Sequence, residues 1–156
     1  MCFLVKQMKS RGKLLLMFMQ ILEVLTVGFP FCIFKILTGN FLGQYWLVAL
    51  GVIDAMINLV NLLSLIISKK RILDTCFLSM VVHRFKKPTL ETKSKWQDLG
   101  NAIDLALSFI FVAYMVGADQ LKHMVPLHLN IWNISVVFNV LGAGLGQLTR
   151  SIKNLT

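Results

Sequence analysis

Residues Tyr45 to Ile67 form an apolar run of 23 residues, broken inside by Asp54, Asn58 and Asn61 and followed at once by Ser68-Lys69-Lys70-Arg71. As a helix rising about 1.5 Å per residue, the run spans the roughly 30 Å of hydrocarbon in a bilayer. The three polar residues follow one another at offsets of four and three, which places them on one helical face. An Asp at the centre of a span costs about 2.5–3.5 kcal/mol on the insertion scale, and each Leu, Ile, Val or Phe returns about 0.3–0.6. The thirteen Leu, Ile and Val of the run therefore supply roughly 4–8 kcal/mol, much of which the three polar residues remove. Such a helix is stable only with its polar face turned to other helices or to water.

The other apolar stretches have the same length, so the chain reads as all-α, an integral membrane four-helix bundle. The four transmembrane helices are expected at about 14–37, 45–67, 96–118 and 127–148. Only 15% of the 156 residues are charged, against about 25% in a soluble domain. The net charge of +9 does not point to nucleic acid, because the basic residues sit at the ends of the apolar runs. The N-terminus, residues 68–95 and the C-terminus hold fourteen of the sixteen Lys and Arg. By the positive-inside rule both termini are cytoplasmic, and size and topology suggest a bacterial cytoplasmic (inner) membrane.

Within the first span, Pro30 lacks an N–H and predicts a kink, while Lys35 near the far end is expected to snorkel to the interface. In the 68–95 loop, Ile72, Leu73, Cys76, Phe77, Met80 and Val81 fall on one helical stripe. The stripe predicts a short amphipathic cytoplasmic helix over 72–85, ended by Pro88. It would lie on the membrane surface or pack against the protein's own cytoplasmic face. Lys69, Lys70, Arg71, Arg84, Lys86 and Lys87 are the expected contacts to anionic lipid headgroups or a partner.

A shift of 81 residues lays Glu23 on Asp104, Asn58 on Asn139, Asp54 on Ser135 and Lys69 on Arg150. That alignment is what two repeated hairpins about an axis along the membrane normal would give. In the fourth span, Ser135, Asn139, Gly142 and Gly146 make a small and polar stripe suited to close helix contact.

The sharpest chemical signal is the set of intramembrane carboxylates, Glu23, Asp54 and Asp104, with Asn58, Asn61 and Asn139. The three acids have no Lys or Arg at similar depth within the chain, so these residues serve as interhelical hydrogen-bonding groups, as partners for basic residues of another subunit, or as an ion site, and Glu23 is expected to meet Asp54. His123 and His128 flank an outer turn without the three or four fixed ligands of a metal site. Cys2, Cys32 and Cys76 include no Cys-x-x-Cys pair, which argues against a thiol oxidoreductase. No phosphate loop, His-Glu-x-x-His or nucleophile elbow is present, and no cofactor is implied. The leading expectation is a non-enzymatic subunit or assembly component of a membrane complex, associating with itself or with other membrane subunits. The alternative is a small oligomeric proton- or cation-coupled transporter or channel that uses the intramembrane carboxylates.

Overall fold

The computed structural model describes residues 17–74, 76–85 and 90–155, with side chains described for 17–74, 76–81, 96 and 99–144. Among the described residues every regular element is helical. Helix α1 is Met17–Phe41, α2 is Tyr45–Ser68, α3 is Phe77–Phe85, α4 is Leu90–Gly117 and α5 is Pro126–Leu155. A short 3-10 turn, Gln120–His123, lies between α4 and α5. Among the described residues three helices, Met17–Phe41, Tyr45–Ser68 and Leu99–Gly117, are long and apolar enough to cross a membrane, as expected of a membrane protein. The fourth apolar run lies within α5.

Pro30 shapes α1 as its chemistry requires. Its ring crowds the carbonyl of Thr26 and it offers that carbonyl no N–H. The helix responds one turn earlier with a π-helical turn at Val24–Gly28, in which the Phe29 N–H reaches back to the Val24 carbonyl. The expected kink is thus a wide turn, a common place for such a bulge.

Helices α1 and α2 form a tight antiparallel hairpin. Gly43, at φ +66°, sits just past the end of α1. Its N–H bonds Asn40 O at 3.3 Å and the Gln44 N–H bonds Gly39 O at 2.7 Å. This is the Schellman closure, and the left-handed position favours the residue without a Cβ. Small residues let the two helices approach. A Cβ on Gly51 would stand 2.9 Å from the Cys32 carbonyl oxygen, and one on Gly28 would stand 2.6 Å from Asn58 Oδ1.

The chain after α2 departs from the sequence expectation. The predicted helix over 72–85 begins only at Phe77. Lys69 takes a left-handed conformation, φ 56°, and the following residues run back along α2. Ser64 Oγ donates to Lys70 O at 2.6 Å. Asn61 accepts from Leu73 N at 3.0 Å and donates to Asp74 O at 3.2 Å. The Phe77 N–H bonds Asp54 Oδ1 at 2.7 Å. From Ser64 to Asp54 is ten residues of helix, about 15 Å. The segment therefore re-enters the bundle to the middle of α2 before α3 starts. Polar side chains of α2 satisfy its unpaired backbone, as non-helical chain at membrane depth demands. Helix α3 then packs on α4, with Cys76 and Ser79 buried.

Helix α5 packs along α1. Trp132 Nε1 donates to Thr38 Oγ1 at 2.9 Å, and a Cβ on Gly142 would lie 2.0 Å from Val27 Cγ2. Positions that rise along α5 thus meet positions that fall along α1, so the two run antiparallel. The two hairpins proposed from the shift of 81 are not built alike: α2 lies on α1, whereas α4 lies on α3. Phe34, Met115, Met124 and Trp132 form a buried apolar cluster near the turns that join α1 to α2 and α4 to α5. Outward residues such as Met56, Leu63, Ile66, Ile110, Ile134 and Leu141 are exposed and apolar, as lipid-facing surfaces are.

The close approach of α3 to α4 is testable. A Cβ on Gly100 would stand 2.4 Å from Ser79 Cα, which is backbone and cannot swing aside. Gly100→Ala is expected to cost about 1–3 kcal/mol, the usual cost of overpacking. Gly144→Ala, with nothing within 4 Å of the new Cβ, is expected to be neutral or to stabilise by up to about 1 kcal/mol. Unfolding midpoints in detergent compare the two.

Candidate functional site

Lys35 is the centre of the polar interior. The sequence placed it at the interface, but it is 2% exposed and turned into the bundle. Its Nζ donates to Asp54 Oδ2 at 2.6 Å and to Asp104 Oδ1 and Oδ2 at 2.6 and 2.7 Å. It also lies over the Phe31 ring, 4.5 Å from the centroid. The direction has a local cause. Helical side chains lean toward the N-terminus of their own helix. A lysine near the C-terminal end of a span therefore leans away from the nearer interface. The carboxylates read as lacking a cation at their depth have one, and it comes from the same chain.

Asp54 is held from both sides. Oδ2 meets Lys35, and Oδ1 accepts the Phe77 N–H of the re-entrant segment. Both partners are donors, which suits an ionised carboxylate. Asn58 donates to the Asp54 carbonyl at 2.9 Å and reaches Cys32 Sγ at 3.5 Å. Ser108 Oγ donates to the Asp104 carbonyl at 2.9 Å, and the Cys76 thiol faces Asn101 Oδ1 at 3.5 Å.

Glu23 does not meet Asp54. Its carboxylate accepts Arg71 Nη2 at 2.7 Å, and the same Nη2 donates to Gln20 O at 3.1 Å. Arg71 was expected to face lipid or a partner, yet it turns inward where the re-entrant segment begins. The reason is positional: after the left-handed Lys69, the chain folds back toward α1 instead of continuing outward.

The structure thus gathers Asp54, Asn58, Asp104 and Asn139 around one cavity of about 170 Å³, with Glu23 and Arg71 also on its wall. Cys32, Cys76, Asn101, Gly28 and Gly142 complete its polar and small lining. Asn61 stands apart, serving the backbone of residues 73 and 74. Ser135 is buried and donates to Ile131 O at 2.8 Å. It does not line the cavity. Lys69 and Lys70 are exposed. The side chain of Arg84, all of Lys86 and Lys87, and the surroundings of Gly146 lie outside the described residues.

Two ends of the cavity differ. At the end nearer Lys35, Phe31 lines the cavity, and the apolar cluster of Phe34 and Trp132 lies beyond it. Toward the basic end of the bundle stands the Glu23–Arg71 pair, whose side chains are 36% and 19% exposed. Comparison with family models, with curated proteins and with solved structures finds no match for this chain.

The charge arithmetic of the inner end is simple. One ammonium faces two carboxylates, so the cluster carries one surplus negative charge when all three are ionised. Breaking a buried pair by removing one partner costs about 3–5 kcal/mol, because the other charge is left uncompensated. Lys35→Met, which leaves two carboxylates facing each other, is expected to destabilise by at least that range. Lys35→Met combined with Asp54→Asn and Asp104→Asn removes all three charges and should recover most of the loss. Unfolding midpoints of the single and triple variants measure the coupling.

Proposed function

We propose that this chain is a small proton- or cation-coupled membrane transporter, and that Lys35, Asp54 and Asp104 form its ion-handling site. The observation that carries the reading is the make-up of that buried cluster, one ammonium facing two carboxyl groups, of which Asp54 and Asp104 line a polar cavity. In a low-dielectric interior an unbalanced charge is costly, and one proton or one monovalent cation balances it. A site that is neutral when loaded and negative when empty couples its occupancy to the arrangement of the helices around it.

The reading places four spans in the membrane, with α5 as the fourth and both termini in the cytoplasm of a bacterial cell. The basic residues at 68–71 and in 84–95 then lie on the cytoplasmic side, near anionic headgroups. The cavity would open toward the cytoplasm past Glu23 and Arg71, and the Phe34–Trp132 cluster would close the other side. A single bundle of this size has little room for a full pathway, so the working form is expected to be an oligomer. The other reading, a non-enzymatic subunit or assembly component of a membrane complex, would use the polar and small-residue faces for association with itself or with other membrane subunits.

The test is flux from proteoliposomes under an imposed proton or sodium gradient. Asp104→Asn removes the surplus charge while leaving Lys35 one carboxylate, so the protein should fold with a midpoint at or above that of the parent. Its cation-dependent flux should fall at least tenfold. Undiminished flux in a well-folded Asp104→Asn protein would contradict the proposal.

A further inference from the structure

The carboxylate oxygens of the buried cluster are all engaged by N–H donors of this chain. Lys35 Nζ meets Asp54 Oδ2 and Asp104 Oδ1 at 2.6 Å and Asp104 Oδ2 at 2.7 Å. The Phe77 N–H takes Asp54 Oδ1 at 2.7 Å. An ammonium has three N–H donors and no acceptor, and here three oxygens receive them. The seat between the two carboxyl groups is thus filled by a cation that the chain itself supplies.

That filled seat discriminates between two kinds of ion. A metal cation exchanges its water shell for a set of oxygen ligands at about 2.0–2.6 Å. Ligated by these same oxygens, it would fall on the position of Nζ or face it across a single carboxylate, where like charges repel. A proton needs no shell. It adds to one oxygen, and the O–H so formed donates to any acceptor in the cavity, water included. Asp54 and Asp104 both line the cavity, whose volume of about 170 Å³ is room for roughly six waters. Glu23, Asn58 and Asn101 line the same space and offer polar groups along it. Glu23 is partly exposed toward the basic end of the bundle.

The two carboxyl groups are not equivalent. The oxygens of Asp54 serve two different donors, one on α1 and one at the start of α3. A proton there would set an O–H against one of them. Both oxygens of Asp104 serve the single Nζ, so a proton on one leaves Lys35 the other, and Asp54 as well. Among the described residues, the titratable groups that face Asp104 are Lys35 of α1, Asp54 of α2 and Cys76 of the re-entrant segment. Glu23, Cys32 and Arg71 stand further along the cavity wall.

We propose that the ion handled at this site is the proton, carried by Asp104, and that the Lys35 ammonium excludes sodium and other metal cations by occupying their place. The step forms one O–H bond on Asp104 and breaks one in a hydronium of the cavity, which returns to water. This deepens the transporter reading, on which it rests, by choosing the ion.

The experiment is infrared difference spectroscopy on the full chain in lipid bilayers, with pH stepped at fixed sodium and with sodium exchanged for choline at fixed pH. One of the protonated-carboxyl bands that appear on acidification of the parent should be missing in Asp104→Asn. Its midpoint should hold still across a hundredfold rise in sodium. A competing sodium ion would lower that midpoint by up to about one pH unit for each tenfold rise, and a shift of that size would overturn the proposal. So would a parent with no Asp104-dependent band. In Lys35→Met the seat is vacated, and sodium should raise the unfolding midpoint, which it leaves unchanged in the parent. A folded Lys35→Met protein indifferent to sodium would overturn the role given to the ammonium. The parent spectra decide the choice of ion whether or not that variant folds. Sodium-driven flux that needs Asp104 would rule out the proton and leave the transporter reading standing. Flux with no dependence on Asp104 would overturn both.

Discussion

The buried ammonium of Lys35 is the interaction on which the rest of this structure depends. It joins α1 to α2 through Asp54 and α1 to α4 through Asp104. No apolar contact could hold three helices at one point with the same directional demand. Placing three charged groups inside a membrane protein is costly, and their mutual attraction offsets that cost only when the geometry is close. The contacts near 2.6 Å meet that condition. The cluster therefore fixes the register of the helices more than it adds to their stability.

The re-entrant chain between Lys69 and Phe77 follows from the same constraint. Once Asp54 faces the interior it needs a second donor, and the Phe77 amide supplies it. Asn61 and Ser64 carry the backbone down to that point. The polar face of α2 thus has two roles along its length: half of it serves a charge and half serves an unravelled segment. Helix α3 then leaves on a path set by the near-contact of Ser79 with Gly100. The result is a polar space bounded by five segments, with apolar side chains left for the outside.

Much of this was legible in the sequence. Hydropathy and the basic ends located three helices that can cross a membrane, and the spacing of Asp54, Asn58 and Asn61 marked the face of α2 that had to be covered. The sequence could not show what covers it. Distance to the nearer interface favours an outward, snorkelling Lys35. The lean of a helical side chain toward its own N-terminus, which is readable from sequence, points the other way. Arg71 is a different case. Its inward turn depends on the left-handed backbone at Lys69, a conformation uncommon for lysine and not signalled by composition. The helix expected over 72–85 lost its first turn because the stripe from Ile72 to Cys76 has helical spacing but its backbone finds partners on α2 instead. Periodicity reports which residues prefer burial, and tertiary hydrogen bonds decided the backbone that buries them.

The position of the Lys35 ammonium is the point on which the whole arrangement turns. Solid-state NMR on protein in lipid bilayers, with the lysine side-chain nitrogens and the aspartate carboxyl carbons isotopically labelled, measures this directly through dipolar recoupling. The Lys35 nitrogen signal, assigned by its loss in Lys35→Met, is expected to be strongly dephased by two carboxyl carbons. One coupling should vanish in an Asp54→Asn sample in which only aspartate is labelled, and the other in the matching Asp104→Asn sample. A Lys35 nitrogen that couples to neither carboxyl and exchanges its protons freely with bulk water would contradict that arrangement.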